Sequence, residues 1–330
     1  MPTELTSAAP VPIIDALCVG ETMSLVTPAD GRGLAGAQDF ALTCAGAESN
    51  VAVHLARAGL DARWVSRLGA DPLGDRVLRD LAAHGVGLDL VERSVTEPTG
   101  VFFKAPGVSG TEVFYYRAGS AASAMGPGFI KPEVLTAARL VHLTGITPGL
   151  SQTCRALVEQ LFSDLAGRDT PLLSFDVNFR AKVWPKDIAA PILLDLARRA
   201  DVVLVGRDEA EELWGAADAP AIRALLPRVP YLVIKDADIG ATEFTMDGTA
   251  VDQVTFVPAP YVDVVEPVGA GDAFAGGYLA ALLAGATAEE RLARGHRTAG
   301  EVLVVPGDLP EPPPAPKLSS SQTTPTRSTL

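Results

Sequence analysis

The sequence predicts an α/β fold in which helices cover both faces of a mainly parallel sheet, and a small second sheet lies over one edge as a lid. Three observations lead to this prediction. Short strands rich in Val, Ile and Leu alternate with helices of about ten residues along most of the chain. Aromatic, hairpin-like segments interrupt that alternation. The 330 residues are 48% hydrophobic, which is enough apolar material to fill the core of a large domain.

The predicted elements of the main sheet follow in a regular order. Residues 13–19 form a buried first strand, and a helix that starts at Ser49 stops at Gly59, because glycine commonly stands just past a helix end. A strand over 62–69 and a helix over 75–84 come next. The same alternation continues with strands over 140–145, 171–177, 201–206 and 231–235, and helices over 151–166, 188–200 and 219–226.

The lid is predicted from strands over 40–44, 100–106 and 111–117, with residues 107–110 as a hairpin turn. We therefore place the lid segments at about 22–45 and 96–118. Residues 1–12 have the composition of a flexible leader, and the Pro, Ser and Thr content of 309–330 is typical of a disordered tail. The expected folded domain is 13–308.

The charge and the cysteines narrow the function classes. The formal charge is −13, which disfavours nucleic acid and anionic membranes as partners. An anionic substrate therefore needs a local site made of backbone N–H groups, a few arginines or a metal. Three cysteines without C-x-x-C spacing argue against a disulfide framework or a zinc site. Together with the lack of a signal-peptide pattern, they predict a cytoplasmic location.

Such a local anion site is predicted where a glycine-rich loop leads into an apolar helix at 266–283. Gly269 and Gly271 permit tight backbone angles, and the N–H groups of Ala270, Gly271 and Asp272 are expected to point outward and form an anion hole. Asp272 is placed to accept a proton from an attacking hydroxyl. The alternative is an ordinary helix start with an acidic residue near its cap. The Walker pattern is absent, because no Gly-Lys-Ser/Thr follows, and no G-x-G-x-x-G fingerprint follows the first strand directly.

Three motifs together give the chain a family resemblance. GAGDAF at 269–274, AGAESNVAVHLARAG at 45–59 and DVNFR at 176–180 resemble, in order and spacing, the signatures of the PfkB (ribokinase-like) carbohydrate kinases over roughly 13–308. This resemblance implies a ribokinase-like three-layer sandwich with a lid, and a sugar kinase that uses ATP and Mg²⁺. With YYRAGSAAS at 115–123, the sequence looks most like 2-keto-3-deoxygluconate kinases, which phosphorylate the 6-hydroxyl of a keto-deoxy sugar acid.

On the substrate side, the resemblance implies contacts from Gly46, Asn50, Phe102, Tyr115, Arg117, Asp272 and Asp308. Arg117 ends an aromatic strand of the predicted lid, where a guanidinium can clamp a carboxylate; a solvated strand-end arginine is the alternative. Phe102 stands where these kinases usually have tyrosine, which leaves the precise sugar open. Asp308 is either the downstream carboxylate of the family or a plain turn residue.

On the nucleotide side, the resemblance implies contacts from Asn178, Arg180, Lys235, Gly240, Gly269 and Gly271. Strand alternation predicts that Asp176, Asn178 and Arg180 share one face at a strand's carboxyl end. The resemblance implies that Asn178 and Arg180 lie beside the phosphates, where Arg180 can neutralise charge on the transferred group. The alternative is a surface arginine paired with Asp176. Glu209 resembles the carboxylate that orders the Mg²⁺ water shell, although it also suits an acidic first helical turn.

Two departures from the family motifs keep other functions open. Gly206 stands where the family has Asn, and Ala237 replaces a loop glycine, at a cost of about 1 kcal/mol if that position needs a positive φ. The alternatives are therefore another kinase of this family, for fructose, ribose or a dehydro-deoxygluconate, and a catalytically weak sugar- or nucleotide-binding protein on the same fold. The exposed edge and aromatics of the lid favour a homodimer that pairs lids.

Overall fold

A computed structural model of the chain describes residues 14–30, 32–107, 110–246, 252–305 and 307–312. The predicted leader, the turn residues 108–109 and residues 313–330 of the predicted tail lie outside this description. Within it, no helix is both long and apolar enough to cross a membrane.

The described part of the chain contains thirteen strands in two sheets. They are β1 (Ile14–Val19), β2 (Met23–Pro28), β3 (Phe40–Ala45), β4 (Ala62–Gly69), β5 (Val91–Ser94), β6 (Val101–Gly107), β7 (Gly110–Tyr116), β8 (Ala138–Thr144), β9 (Leu172–Asp176), β10 (Val202–Gly206), β11 (Tyr231–Asp236), β12 (Gly240–Thr245) and β13 (Gln253–Pro258). The main sheet has nine strands in the order β13-β12-β11-β10-β9-β8-β1-β4-β5. It is parallel from β11 to β5, while β12 and β13 are antiparallel.

Ten α-helices accompany these strands within the described residues. They are α1 (Ala47–Arg57), α2 (Pro72–Ala83), α3 (Pro132–Thr136), α4 (Thr147–Leu150), α5 (Gln152–Leu165), α6 (Lys186–Arg199), α7 (Arg207–Trp214), α8 (Ala219–Leu225), α9 (Ala270–Leu283) and α10 (Ala288–Leu303), with a short 3-10 helix at Ala122–Ala124.

The main sheet separates two hydrophobic cores. Along β1, Leu17 and Val19 pack into one core, whereas Ala16 and Cys18 pack into the other. A strand buried on both faces carries apolar residues on both, which is why β1 is continuously apolar from Ala16 to Val19 and lacks the alternation of a surface strand. The predicted α/β class, with a mainly parallel sheet between two helical layers, is confirmed.

The predicted start of one helix differs from the structure because a capping residue sets it. The helix expected over 75–84 begins at Pro72, because the Asp71 side chain accepts a hydrogen bond from the Gly74 N–H (2.8 Å) and proline suits the first helical position. The antiparallel strands β12 and β13 were not predicted. Helix α10 was not predicted either, although Thr287 and Glu290 form a capping box at its start.

The small sheet is built from β3-β2-β6-β7. Its strand alternation gives it one face toward the main domain and one face outward. Phe102 is buried on the inner face, where its ring lies 5.5 Å from that of Tyr115. Phe40, Phe114 and Tyr116 are exposed on the outer face. We call this four-stranded sheet the lid.

Candidate active site

A cavity of about 760 Å³ lies between the lid and the carboxyl ends of the parallel strands. Open α/β sheets bind ligands at these strand ends, because the loops there leave a crevice. One wall comes from Gly206 and Lys235 at the ends of β10 and β11, and another from the first turn of α9. The lid covers the cavity with Phe102, Tyr115 and other inward-facing side chains.

Two amide side chains hold the Asp272 carboxylate in this cavity. Asn50 on α1 donates through Nδ2 to Oδ2 of Asp272 at 2.9 Å, and Asn178 after β9 donates to Oδ1 at 3.2 Å. The two asparagines are far apart in the sequence and meet only at this carboxylate. They orient Asp272 without neutralising it, which suits a group that must accept a proton.

Burial raises the pKa of Asp272 to about 7, although the hydrogen bond from Asn50 and the charge of Arg180 act in the opposite direction. A carboxylate with a pKa near the working pH is an effective general base, because it is ionised before the reaction and holds a proton well afterwards.

The loop before Asp272 needs glycine at one position. Gly269 has φ 86°, and a Cβ there would lie 2.6 Å from the carbonyl oxygen of Asp308. This close packing aligns the start of α9 with the segment that carries Asp308. The described residues offer no acceptor for the N–H groups of Gly271 and Asp272. The expectation of a free N–H at Ala270 is wrong, because that group donates to the Pro267 carbonyl (3.4 Å) and closes the turn.

Lys235 lies beneath the start of α9. Its Nζ is 2.7 Å from Oδ2 of Asp176 and 3.7 Å from the position of a Cβ on Gly271. Burial by itself lowers the pKa of Lys235, but the charges of Asp176 and Glu209 outweigh that effect and raise it. A permanent positive charge therefore supports the anion hole from below.

The motif after β9 does not keep its three polar residues on one face as predicted. Asp176 pairs with Lys235, while Asn178 turns to Asp272. The reason is the positive φ of Asn178, 35°, which ends the extended conformation; asparagine tolerates this region better than most residues. Arg180 is exposed at the cavity and reaches Oε1 of Glu209 at 3.5 Å, so the alternative pairing with Asp176 is wrong.

Glu209, the carboxylate predicted to hold Mg²⁺ through water, lines the cavity. Its Oε2 accepts a hydrogen bond from the Gly206 N–H at 2.9 Å, and burial raises its pKa. The described residues contain no group of three or more acidic, His or Cys side chains that could hold a metal ion. Mg²⁺ is commonly held by one or two carboxylates together with substrate phosphates and water, and Glu209 fits that pattern.

Arg117 does not offer a free guanidinium. Its Nε donates to Oε2 of Glu21 at 2.7 Å, and Glu21 also accepts from the hydroxyl of Ser120. The Arg117 side chain is 14% exposed, so it is not the solvated residue of the alternative reading either. It stacks against Tyr115, 5.6 Å from the ring centre, and both line the cavity.

Two further predicted residues border the cavity or its nucleotide side. Gly46 precedes α1, and a Cβ there would lie 2.3 Å from the Glu21 carbonyl oxygen, so only glycine fits. Gly240 begins β12 beside Ala237 in the predicted nucleotide loop. Ala237 has φ 41°, so the replacement of glycine does impose the strain predicted from the sequence.

Lys104 is a cavity residue that the sequence analysis missed. It lies on β6 with its side chain 6% exposed, and its Nζ is 2.7 Å from Oδ1 of Asp308. Strand alternation could have found it, because Lys104 is two residues from the predicted Phe102 and therefore faces the same side of the lid. Asp308 is thus an ion-pair partner in the cavity rather than a plain turn residue.

Comparison with known proteins agrees with this geometry. The profile of the pfkB family carbohydrate kinases matches residues 14–314. This chain belongs to the PfkB family. It is therefore a carbohydrate kinase, and kinases of this family use ATP as a substrate. The family assignment and the ribokinase-like fold predicted from the sequence are both confirmed.

Three similar proteins illustrate the relationship. The 2-dehydro-3-deoxygluconokinase of Bacillus subtilis strain 168 is 34% identical, and the match covers 93% of this chain and 95% of that protein. The 2-dehydro-3-deoxygalactonokinase of Haloferax volcanii is 33% identical, with 88% and 91% covered. The crystal structure of a PfkB protein from Polaromonas sp. JS666 superposes with a TM-score of 0.78 at 34% identity, covering 87% of this chain and 95% of that one.

Proposed function

We propose that this PfkB kinase transfers the γ-phosphoryl group of ATP to the 6-hydroxyl of a keto-deoxy sugar acid, and that 2-keto-3-deoxygluconate (2-dehydro-3-deoxygluconate) is its substrate. The observation that carries the proposal is the Asp272 carboxylate, held by two asparagines at the start of α9 in a cavity that two lid cations line.

In the proposed reaction, Asp272 accepts the proton of the 6-hydroxyl while the sugar oxygen forms a bond to the γ-phosphorus. The bond between that phosphorus and the β,γ-bridging oxygen breaks, and the products are ADP and the 6-phosphate of the sugar acid. The N–H groups of Gly271 and Asp272, with Lys235 below them, face the charge on the transferred group. Arg180 stands at the open side and can neutralise the remaining phosphate charge.

Mg²⁺ bound to ATP would neutralise phosphate charge, and Glu209 would hold it through water. On the nucleotide side, Asn178, Lys235 and Gly240 are the proposed contacts, together with the Gly269–Gly271 turn. Asn178 is thus assigned both to the phosphates and to the orientation of Asp272.

The sugar side is proposed from polar groups that a sugar acid can satisfy. The amide oxygen of Asn50 is buried and has no partner among the described residues, so a sugar hydroxyl can fill this need. Tyr115 offers a phenol group, whereas Phe102 and the backbone at Gly46 shape the wall. Arg117 and Lys104 lie on the lid side of the cavity, each paired with a carboxylate, Glu21 and Asp308 respectively. The N–H groups that these pairs leave free can bind a substrate carboxylate, which a neutral sugar lacks.

The C4 epimer, 2-keto-3-deoxygalactonate, is the second candidate. It is favoured by the nearly equal identity of the chain to relatives named for each epimer, 34% and 33%. A coupled assay of ADP release with both sugar acids, fructose and ribose tests the proposal. We expect the highest kcat/KM with a sugar acid. Preference for fructose or ribose would overturn the substrate assignment, and absence of turnover with ATP bound would favour a binding protein.

We also propose a homodimer that forms through the lid. Phe40 and Phe114 are each 44% exposed and Tyr116 is 66% exposed on its outer face, where they surround a shallow apolar cavity with Leu34 and Phe103. Sedimentation velocity of the protein and of Tyr116→Lys tests this: a dimer that the substitution dissociates is expected, and a monomeric wild type would contradict it.

The three buried free thiols support the predicted cytoplasmic location.

A further inference from the structure

Lys104 makes an ion pair between the lid and the main domain. Its ammonium group lies 2.7 Å from the Asp308 carboxylate and 4.0 Å from that of Glu266. The side chains of Lys104 and Asp308 are only 6% and 7% exposed. A buried pair of this kind is poorly screened by solvent, so loss of either partner leaves an uncompensated charge.

Both carboxylates belong to segments that frame the anion-hole loop. Glu266 lies just before that loop, and the main chain of Asp308 packs directly on Gly269. A displacement of the lid that separates Lys104 from Asp308 therefore also affects the segment that supports the start of α9. The lid strand β6 and the anion hole are connected through two residues, Lys104 and Asp308.

Arg117 cannot replace Lys104 in this role. Glu21 holds the Arg117 guanidinium from the end of β1, and Ser120 donates to the same carboxylate. Arg117 is thus fixed at one side of the cavity, away from the contacts that Lys104 makes. Without Lys104, the Asp308 carboxylate would face an anionic substrate with no cation beside it.

We propose that Lys104 is a positioning residue for the sugar acid. It fastens the lid to the anion-hole segment through Asp308, and it neutralises Asp308 so that a carboxylate substrate can occupy the cavity. The part of this inference that concerns the substrate rests on the proposed function, whereas the part that concerns the lid contact does not.

Kinetics of four variants test the substrate part: Lys104→Met, Lys104→Arg, Asp308→Asn and the Lys104→Met/Asp308→Asn double variant. For Lys104→Met we expect the KM for the sugar acid to rise at least about tenfold, with kcat changed by less than about threefold. Lys104→Arg should restore most of the affinity. The double variant should bind the sugar acid several-fold better than Lys104→Met, because Asp308→Asn removes the carboxylate that Lys104→Met leaves unpaired.

The matched control is Lys182→Met. Lys182 is exposed, and its Nζ donates to the Val113 carbonyl of β7 at 3.1 Å, so it also contacts the lid but carries no buried charge. Its KM should stay within about twofold of wild type. An unchanged KM in Lys104→Met, or a double variant weaker than Lys104→Met, would overturn the substrate part.

Amide hydrogen exchange without substrate tests the lid contact separately. In Lys104→Met, amides of β6 and of residues 266–271 should exchange at least about tenfold faster than in wild type, with no such change in Lys182→Met. Unchanged exchange in both segments would overturn the lid contact even if the kinase is active. If the wild type phosphorylates no sugar acid, the proposed function and the substrate part are both wrong, and exchange alone decides whether Lys104 fastens the lid.

Discussion

The ionisation of Asp272 should control the pH dependence of the kinase. Burial raises its pKa to about 7, and the base must be ionised to accept the hydroxyl proton. Below pH 7 the active, deprotonated fraction falls tenfold per pH unit, so kcat/KM at pH 6 should be about one tenth of its plateau. A carboxyl with an ordinary pKa near 3.8 would instead give a flat profile over this range.

The substitution Asn50→Ala perturbs the pKa of Asp272. The hydrogen bond from Asn50 stabilises the ionised form of Asp272, so its removal should move the acid limb upward by about one pH unit and lower the plateau. The measurement is kcat/KM between pH 5.5 and 8.5 with saturating ATP. Asp201→Asn is the control, because burial also raises the pKa of Asp201 although it lies outside the cavity. A flat wild-type profile, or an unmoved limb in Asn50→Ala, would refute the reasoning.

Three other substitutions test the surroundings of the site. Gly269→Ala should lower the free energy of unfolding by at least about 1 kcal/mol and lower kcat more than tenfold, because alanine is strained at the positive φ of this position and its Cβ would clash with the Asp308 carbonyl. Urea unfolding and turnover measure the two effects, and a variant with wild-type turnover would contradict this prediction. Arg291→Met should destabilise the protein by about 3–5 kcal/mol, because the buried Glu243 carboxylate between β12 and α10 would lose its cationic partner. A thermal midpoint within about 2 °C of wild type would contradict this prediction. Ala237→Gly should relieve about 1 kcal/mol of backbone strain and tighten ATP binding severalfold, as measured by titration calorimetry; weaker binding would show that the alanine conformation suits the nucleotide.

The sequence was sufficient to predict six parallel strands of the main sheet, β1, β4, β8, β9, β10 and β11, because they are short, largely apolar and separated by helices; the short edge strand β5 was not predicted. Periodicity locates such elements without reference to distant residues. It could not locate β12 and β13, because Gly240–Thr245 and Gln253–Pro258 have mixed composition and form the antiparallel end of the sheet, where β12 pairs with β11 and β13 is the edge strand. The start of α2 was also missed, since capping by Asp71 extends the helix beyond its apolar pattern.

Motifs placed the main site residues, but not their partners. Asp272 and Asn50 come from different motifs, and only the fold shows that one donates to the other. Arg117 was predicted to be available to a substrate, whereas the structure pairs it with Glu21, more than ninety positions away in the chain. Long-range ion pairs leave no periodic pattern, so Lys104 escaped notice although it lies two residues from Phe102.

Product analysis with wild type and Asp272→Asn tests the central claim most directly. Each protein is mixed with ATP, Mg²⁺ and 2-keto-3-deoxygluconate, ATP affinity is measured separately, and the phosphorylated product is identified by ³¹P and ¹³C NMR. We predict ADP and sugar-acid 6-phosphate in equal amounts from wild type, and a loss of about 10²–10⁴-fold in rate for Asp272→Asn with ATP affinity unchanged. An Asp272→Asn rate within tenfold of wild type, or a phosphate on another hydroxyl, would contradict the account.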